Sequence, residues 1–138
     1  MTARYSATAR ILVVDDEPSV RRFAARALSE EGFAVLEAAD GQEALAAVEA
    51  GGVLAIVSDI VMPRLNGVQL IEALARSHPQ LPVVLISGYA PGELEGLGIA
   101  APCAVLMKPF TAERLVKEVR RCLGGADPLA VGSPQEGV

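Results

Sequence analysis

No apolar run in this 138-residue sequence approaches the ~20 residues needed to cross a bilayer. The segment from Met1 to Arg10 is polar and lacks the apolar stretch of a secretory signal, so a cytoplasmic location is expected. Positive charge is not in excess either. The formal net charge is −5, which argues against a nucleic-acid-binding module with a basic face. There are two cysteines, Cys103 and Cys122, and they form no CxxC or Cys/His metal pattern. The expected state is reduced, packed thiols, with a disulfide as the lesser alternative. The one histidine, His78, precedes Pro79 at the expected end of a helix, a surface position rather than a catalytic one. No internal repeat is present.

What the sequence does contain is a set of short apolar runs that stop on charge. Ile11-Leu12-Val13-Val14 ends at Asp15-Asp16, and Ala55-Ile56-Val57-Ser58 ends at Asp59. Such β-branched runs suit buried parallel strands. In open α/β sheets the crevice beyond the carboxyl ends of the strands is where ligands bind. Acids gathered there repel one another unless a cation or a proton intervenes.

Half of the residues are apolar, enough for one domain with a sizeable core. Strand-like and helix-like segments alternate from Arg10 to about Gly124. Strands are expected at 10–15, 33–37, 53–59, 81–87 and 104–107. The first helix carries a stripe of Val20, Phe23, Ala24, Ala27 and Leu28 and ends at Gly32. Asp40 can cap a second helix, broken by Gly51-Gly52. Val68, Leu70, Ile71, Leu74 and Ala75 mark a third. Thr111 can cap a last helix with Leu115, Val116, Val119 and Leu123 inward. The stretch 91–98 holds three glycines, so a fourth helix there is expected to be short or frayed. The domain reading is a flexible N-terminal segment 1–9, one folded unit 10–124 and a flexible tail 125–138. Five such units imply a parallel sheet with right-handed crossovers and helices on both faces.

In that arrangement one sheet edge presents Asp15, Asp16, Asp59, Ser87 and Lys108. The acids can hold a hard divalent cation. The lysine can neutralise a phosphoryl group and the hydroxyl can donate to it. A carboxylate can itself accept phosphate as an acyl phosphate. Each residue also has a plainer reading. Asp15 and Asp16 could cap the first helix, Ser87 could be turn chemistry before Gly88, and Lys108 could be a solvated surface lysine.

Taken in order, these fragments resemble the receiver domain of bacterial two-component response regulators. They are Asp15-Asp16, Asp59 followed by Met62-Pro63 and Asn66-Gly67, Ser87-Gly88, and Lys108-Pro109-Phe110. The resemblance covers 10–123 and implies a doubly wound, CheY-like (flavodoxin-like) α/β fold with a five-stranded parallel sheet in a three-layer sandwich. It implies Asp59 as phosphoacceptor. Asp15, Asp16, Asp59 and the backbone carbonyl of Val61 would be ligands of Mg²⁺, for which Mn²⁺ could substitute. Ser87 and Lys108 would bind phosphate, and Pro109 would follow a cis peptide. It further implies a phosphodonor partner, a sensor histidine kinase or a histidine phosphotransfer protein, and a signalling phosphoacceptor rather than an enzyme. Output would pass through an unidentified downstream protein, with neither nucleic acid nor membrane bound directly. Two copies could pair through the face made by the fourth helix, fifth strand and last helix. The receiver could stand alone or belong to a hybrid kinase.

The family pattern bends in the switch set of Ser87, Tyr89 and Val105. Val105 occupies the position where many receivers carry an aromatic, and Tyr89 could take over part of that role or simply pack. A Mg²⁺-dependent aspartyl-phosphate phosphohydrolase of the haloacid dehalogenase type is the enzymatic alternative. That family places its nucleophile after strand one in an Asp-x-Asp pattern, whereas Asp15-Asp16-Glu17 stands here. A pseudo-receiver that never takes up phosphate is a third reading, opposed by the complete acidic set.

Overall fold

A computed structural model of the chain describes residues 10–60, 67–88 and 102–124. Five parallel strands, β1 (Arg10–Val14), β2 (Val35–Ala38), β3 (Val53–Asp59), β4 (Val83–Ser87) and β5 (Ala104–Met107), form one sheet in the order β2-β1-β3-β4-β5. The described helices are α1 (Pro18–Glu30), α2 (Gly41–Ala50), α3 (Gly67–Ser77) and α4 (Ala112–Cys122). The expected helix at 91–98, the terminal segments 1–9 and 125–138, Val61 to Asn66, and Tyr89 lie outside the described residues.

The sheet separates two apolar clusters. Strand side chains alternate between faces. Ile11, Val13, Val57 and Ile86 therefore join Leu28 of α1 and Leu115 and Val119 of α4. Leu12, Val14, Ile56 and Leu85 join Val48 of α2 and Leu70 and Leu74 of α3. Connections leaving β1 and β3 thus run to opposite faces, and the carboxyl ends of these two neighbours flank the point where the strand order reverses.

The helix termini follow from local chemistry. The Asp40 carboxylate accepts from the Glu43 N–H at 2.9 Å, and the Thr111 hydroxyl accepts from the Arg114 N–H at 3.1 Å. Both are N-cap bonds of the expected kind. At the end of α1, Gly32 adopts φ 95°. Its N–H reaches the Ser29 carbonyl while that of Phe33 reaches Leu28, the paired bonds of a Schellman motif.

Several boundaries differ from expectation. Phe33 serves the helix end, so β2 starts at Val35 rather than at Phe33. Pro82 has no N–H to give the ladder, and β4 starts at Val83 rather than at Leu81. Phe23 does not face the core. It is 46% exposed and its ring lies 5.8 Å from that of Phe110. Ala75 is likewise exposed, whereas Leu70, Ile71 and Leu74 are buried as the stripe requires.

The cysteines are the main correction. Cys103 and Cys122 are joined in a disulfide, with Cα atoms 5.9 Å apart. Spacing along the chain hid this contact. Cys103 immediately precedes β5 and Cys122 is the last residue of α4, so the antiparallel return of α4 over β5 brings them together.

Candidate functional site

Each strand end delivers one part of the site. Asp15 and Asp16 follow β1, Asp59 closes β3, Ser87 closes β4, and Lys108 follows β5. Asp59 pairs in register with Ile86, and Ser87 with Met107, which sets the last three side by side along one edge. The Lys108 N–H donates to the Ser87 carbonyl at 2.8 Å. The Lys108 Nζ then lies 3.4 Å from Asp59 Oδ1. Beyond it the Lys108–Pro109 peptide is cis, as the resemblance implied.

The three acids form a compact donor set, one carboxylate oxygen from each of Asp15, Asp16 and Asp59 lying within 4.8 Å of the others. Asp15 and Asp59 are buried, at 1% and 7% exposure, while Asp16 is open to solvent. Asp15 Oδ1 accepts from the Glu17 N–H at 2.9 Å. Its other oxygen, Oδ2, is buried without a hydrogen-bond partner among the described residues. A buried, unpartnered carboxylate oxygen is costly, and a hard cation shared with two further carboxylates would satisfy it. The donor set therefore fits a divalent ion.

Electrostatics carry the same mark. Burial pushes the Asp15 carboxyl up to about 6 from an ordinary 3.8, and the Asp59 charge adds to the rise. The Glu17 N–H and Lys108 oppose it. Asp59 is also raised, chiefly by burial, although Lys108 beside it pulls the other way. Both acids ionise less readily than free carboxyls, and a bound cation would offset that cost.

Ser87 is fully buried at the end of β4. Val105, at the expected switch position, is half-buried on β5 against the second cluster. Tyr89 and Val61 lie outside the described residues. His78 sits just past α3, half-buried, with Nδ1 2.8 Å from the Ser77 hydroxyl, away from the acids as expected.

Two features were not anticipated. Arg21 of α1 donates through Nη1 to the Asp15 carbonyl at 2.9 Å and through Nε to Glu37 at 2.9 Å, fixing the turn that carries the acids. An apolar groove of about 520 Å³, lined by Ser19, Val20, Phe23, Lys108, Pro109 and Phe110, adjoins the lysine. The sequence carried no sign of it, since helical spacing placed Phe23 in the inward stripe whereas the structure leaves its ring exposed on the groove.

Strand order 2-1-3-4-5 with an acidic pocket at the β1/β3 edge defines a doubly wound, CheY-like signalling fold. The response regulator receiver domain family matches residues 11–120, and the chain belongs to it. Among solved structures, the receiver domain of NtrX from Brucella abortus is 36% identical with a TM-score of 0.77, over 84% of this chain and 99% of that one. The response regulator TrrA of Thermotoga maritima, solved in complex with Mg²⁺ and BeF, is 28% identical with a TM-score of 0.73, over 83% and 98%. The sensor kinase CckA of Brucella abortus is 38% identical over 125 residues, which are 88% of this chain but 13% of that protein.

Proposed function

We propose that this receiver accepts a phosphoryl group on Asp59 from a phosphohistidine of a sensor kinase or phosphotransfer protein. The supporting observation is the Lys108 ammonium 3.4 Å from Asp59 Oδ1, beside the three clustered acids. An Asp59 carboxylate oxygen would attack phosphorus and the histidine nitrogen would leave, giving an acyl phosphate. Lys108 then neutralises charge on the transferred group, and the Ser87 hydroxyl donates to one of its oxygens. Asp15, Asp16, Asp59 and the Val61 carbonyl would hold Mg²⁺, which supplies charge neutralisation between carboxylates and phosphate. The Mg²⁺ and BeF of TrrA support this assignment.

In this reading the domain is a cytoplasmic signalling phosphoacceptor rather than a turnover enzyme. Ser87, Tyr89 and Val105 would carry the change outward to a partner protein. The apolar groove beside Lys108 offers the phosphodonor a surface next to the acceptor. Incubation with acetyl phosphate and Mg²⁺ should add one phosphoryl group per chain by mass, and Asp59→Asn should abolish it. Labelling that survives Asp59→Asn would overturn the assignment, and so would turnover of many equivalents of a phosphomonoester. Neither Val61 nor Tyr89 offers a carboxylate or amide to orient an attacking water, so self-dephosphorylation is expected to be slow. Val61→Asn should accelerate phosphate release.

A further inference from the structure

We propose that Cys103 and Cys122 are a reversible thiol–disulfide site whose oxidised form clips the last helix to the edge strand. The bond closes a ring running from Cys103 through β5, Lys108 and Phe110 to the end of α4, so the site lysine lies inside it. It does not depend on Asp59 taking a phosphoryl group.

Three observations favour a reversible site over a permanent staple. First, the fold has anchors of its own without the bond. The start of β5 is held by the Cys103 N–H on the Val83 carbonyl at 2.8 Å and by register with β4. Helix α4 is held by buried Leu115, Val116 and Val119. Both redox forms can therefore keep this architecture. Second, both cysteines are only half-buried. Cys103 also lines a cavity of about 230 Å³ with Pro102, His78 and Leu81, open space beside the residue that a small thiol could enter. Third, Arg121 in the last turn of α4 donates to the Cys103 carbonyl at 3.0 Å. That contact keeps the two chain segments together when the sulfurs are free and favours their re-pairing.

The chemistry is thiol–disulfide exchange with a low-molecular-weight disulfide, RSSR. The Cys103 thiolate attacks one sulfur of RSSR, forming Cys103–SR and expelling RS⁻. The Cys122 thiolate then attacks the Cys103 sulfur and expels the second RS⁻. Two electrons pass from the protein thiolates to RSSR, and the two thiol protons end on the two RSH formed. Excess RSH reverses both steps. Reduction removes the covalent clip and loosens the final turn of α4 against the start of β5, which the Arg121 contact still holds near each other, and it leaves β1 and β3 as they were.

The whole chain is equilibrated in glutathione buffers of stepped oxidised-to-reduced ratio, acid-quenched, alkylated and weighed. The expected result is a reversible passage from two alkyl groups per chain to none, with a glutathione adduct in between. Amide exchange is then followed in the two end states. Reduction should speed exchange several-fold at 103–105 and 119–124 and leave β1 and β3 unchanged. The double variant Cys103→Ser, Cys122→Ser should show the fast rates in every buffer. A bond that persists in the folded protein under millimolar reduced glutathione would overturn the proposal. So would thiols that never pair, or equal exchange in both states. These measurements use the unsubstituted protein and stand even if the variant fails to fold.

Discussion

Asp15 shows at one residue how the pocket trades stability for readiness. Its carboxyl is pushed up to about 6 by burial, so the folded protein keeps that proton to higher pH than the unfolded chain, which releases it near 3.8. A shift of this sign leaves stability whole below about pH 4 and removes it as pH climbs through about 6, by up to about 3 kcal/mol. Asp59 is shifted in the same direction and adds to the loss. Metal-free Asp15→Asn should therefore be more stable than the parent above pH 6 and nearly equal to it near pH 4. Urea unfolding across that range is the measurement, and equal stabilities at high pH would contradict it. Mg²⁺ should narrow the difference, because it binds the folded parent and not the neutral amide. Mg²⁺ affinity should also fall as pH drops through about 6, where protons compete for Asp15. The acids themselves were legible in the sequence as charge ending an apolar run. Their orphaned oxygen was not, because it depends on which neighbours close over Asp15 in space.

At the scale of elements, the β1–α1 turn is held from two sides. Asp15 accepts from Glu17 within the turn, while Arg21, one turn into α1, ties the Asp15 carbonyl to Glu37 just before the end of β2. The Arg21 side chain is only 16% exposed, so its loss leaves the Asp15 carbonyl short of a partner, while the exposed Glu37 carboxylate turns to water. Arg21→Ala should cost about 1–2 kcal/mol and weaken Mg²⁺ binding several-fold in a direct titration. Arg21→Lys should recover little, since a lysine cannot make the forked contact. Unchanged Mg²⁺ affinity in Arg21→Ala would show that the acid turn is rigid without it. The cap of α2 is a separate local contribution: Asp40→Ala should lower stability by about 1 kcal/mol in urea unfolding, through the lost bond to the Glu43 N–H. Caps and strand ends were readable because they rest on residues next to each other in sequence. β3 and β5 lie as expected for that reason. The Arg21–Glu37 clamp and the Cys103–Cys122 pair escaped because each joins segments that only the folded sheet brings together. Phe23 escaped for a related reason, since helical spacing alone does not show where the buried arc stops.

For the molecule as a whole, the central question is whether the two apolar clusters act as one. Adjacent residues of β1, β3 and β4 alternate between them, so Ile11 and Val13 serve one face while Leu12 and Val14 serve the other. No strand can leave one cluster without stripping the other. This is also why the strands read as continuous apolar runs rather than alternating ones. Leu28 of α1 and Leu70 of α3 are both fully buried, on opposite faces of the sheet. Truncating either to alanine should cost about 2–5 kcal/mol. They share no cluster, so the two losses should add in the double variant, provided it still folds. Unfolding should nevertheless remain a single transition in every variant, because the shared strands transmit each loss to the whole domain. Following urea unfolding by far-ultraviolet circular dichroism and by amide exchange tests this. Coincident transitions for Leu28→Ala and Leu70→Ala are expected. A variant in which β1 keeps its amide protection after the helix of one face has melted would show two independent layers. A perturbation at the sheet edge would then be felt on one face only. With a single cooperative sheet, a change at Asp59 in the central β3 reaches the helices of both faces through strands they share.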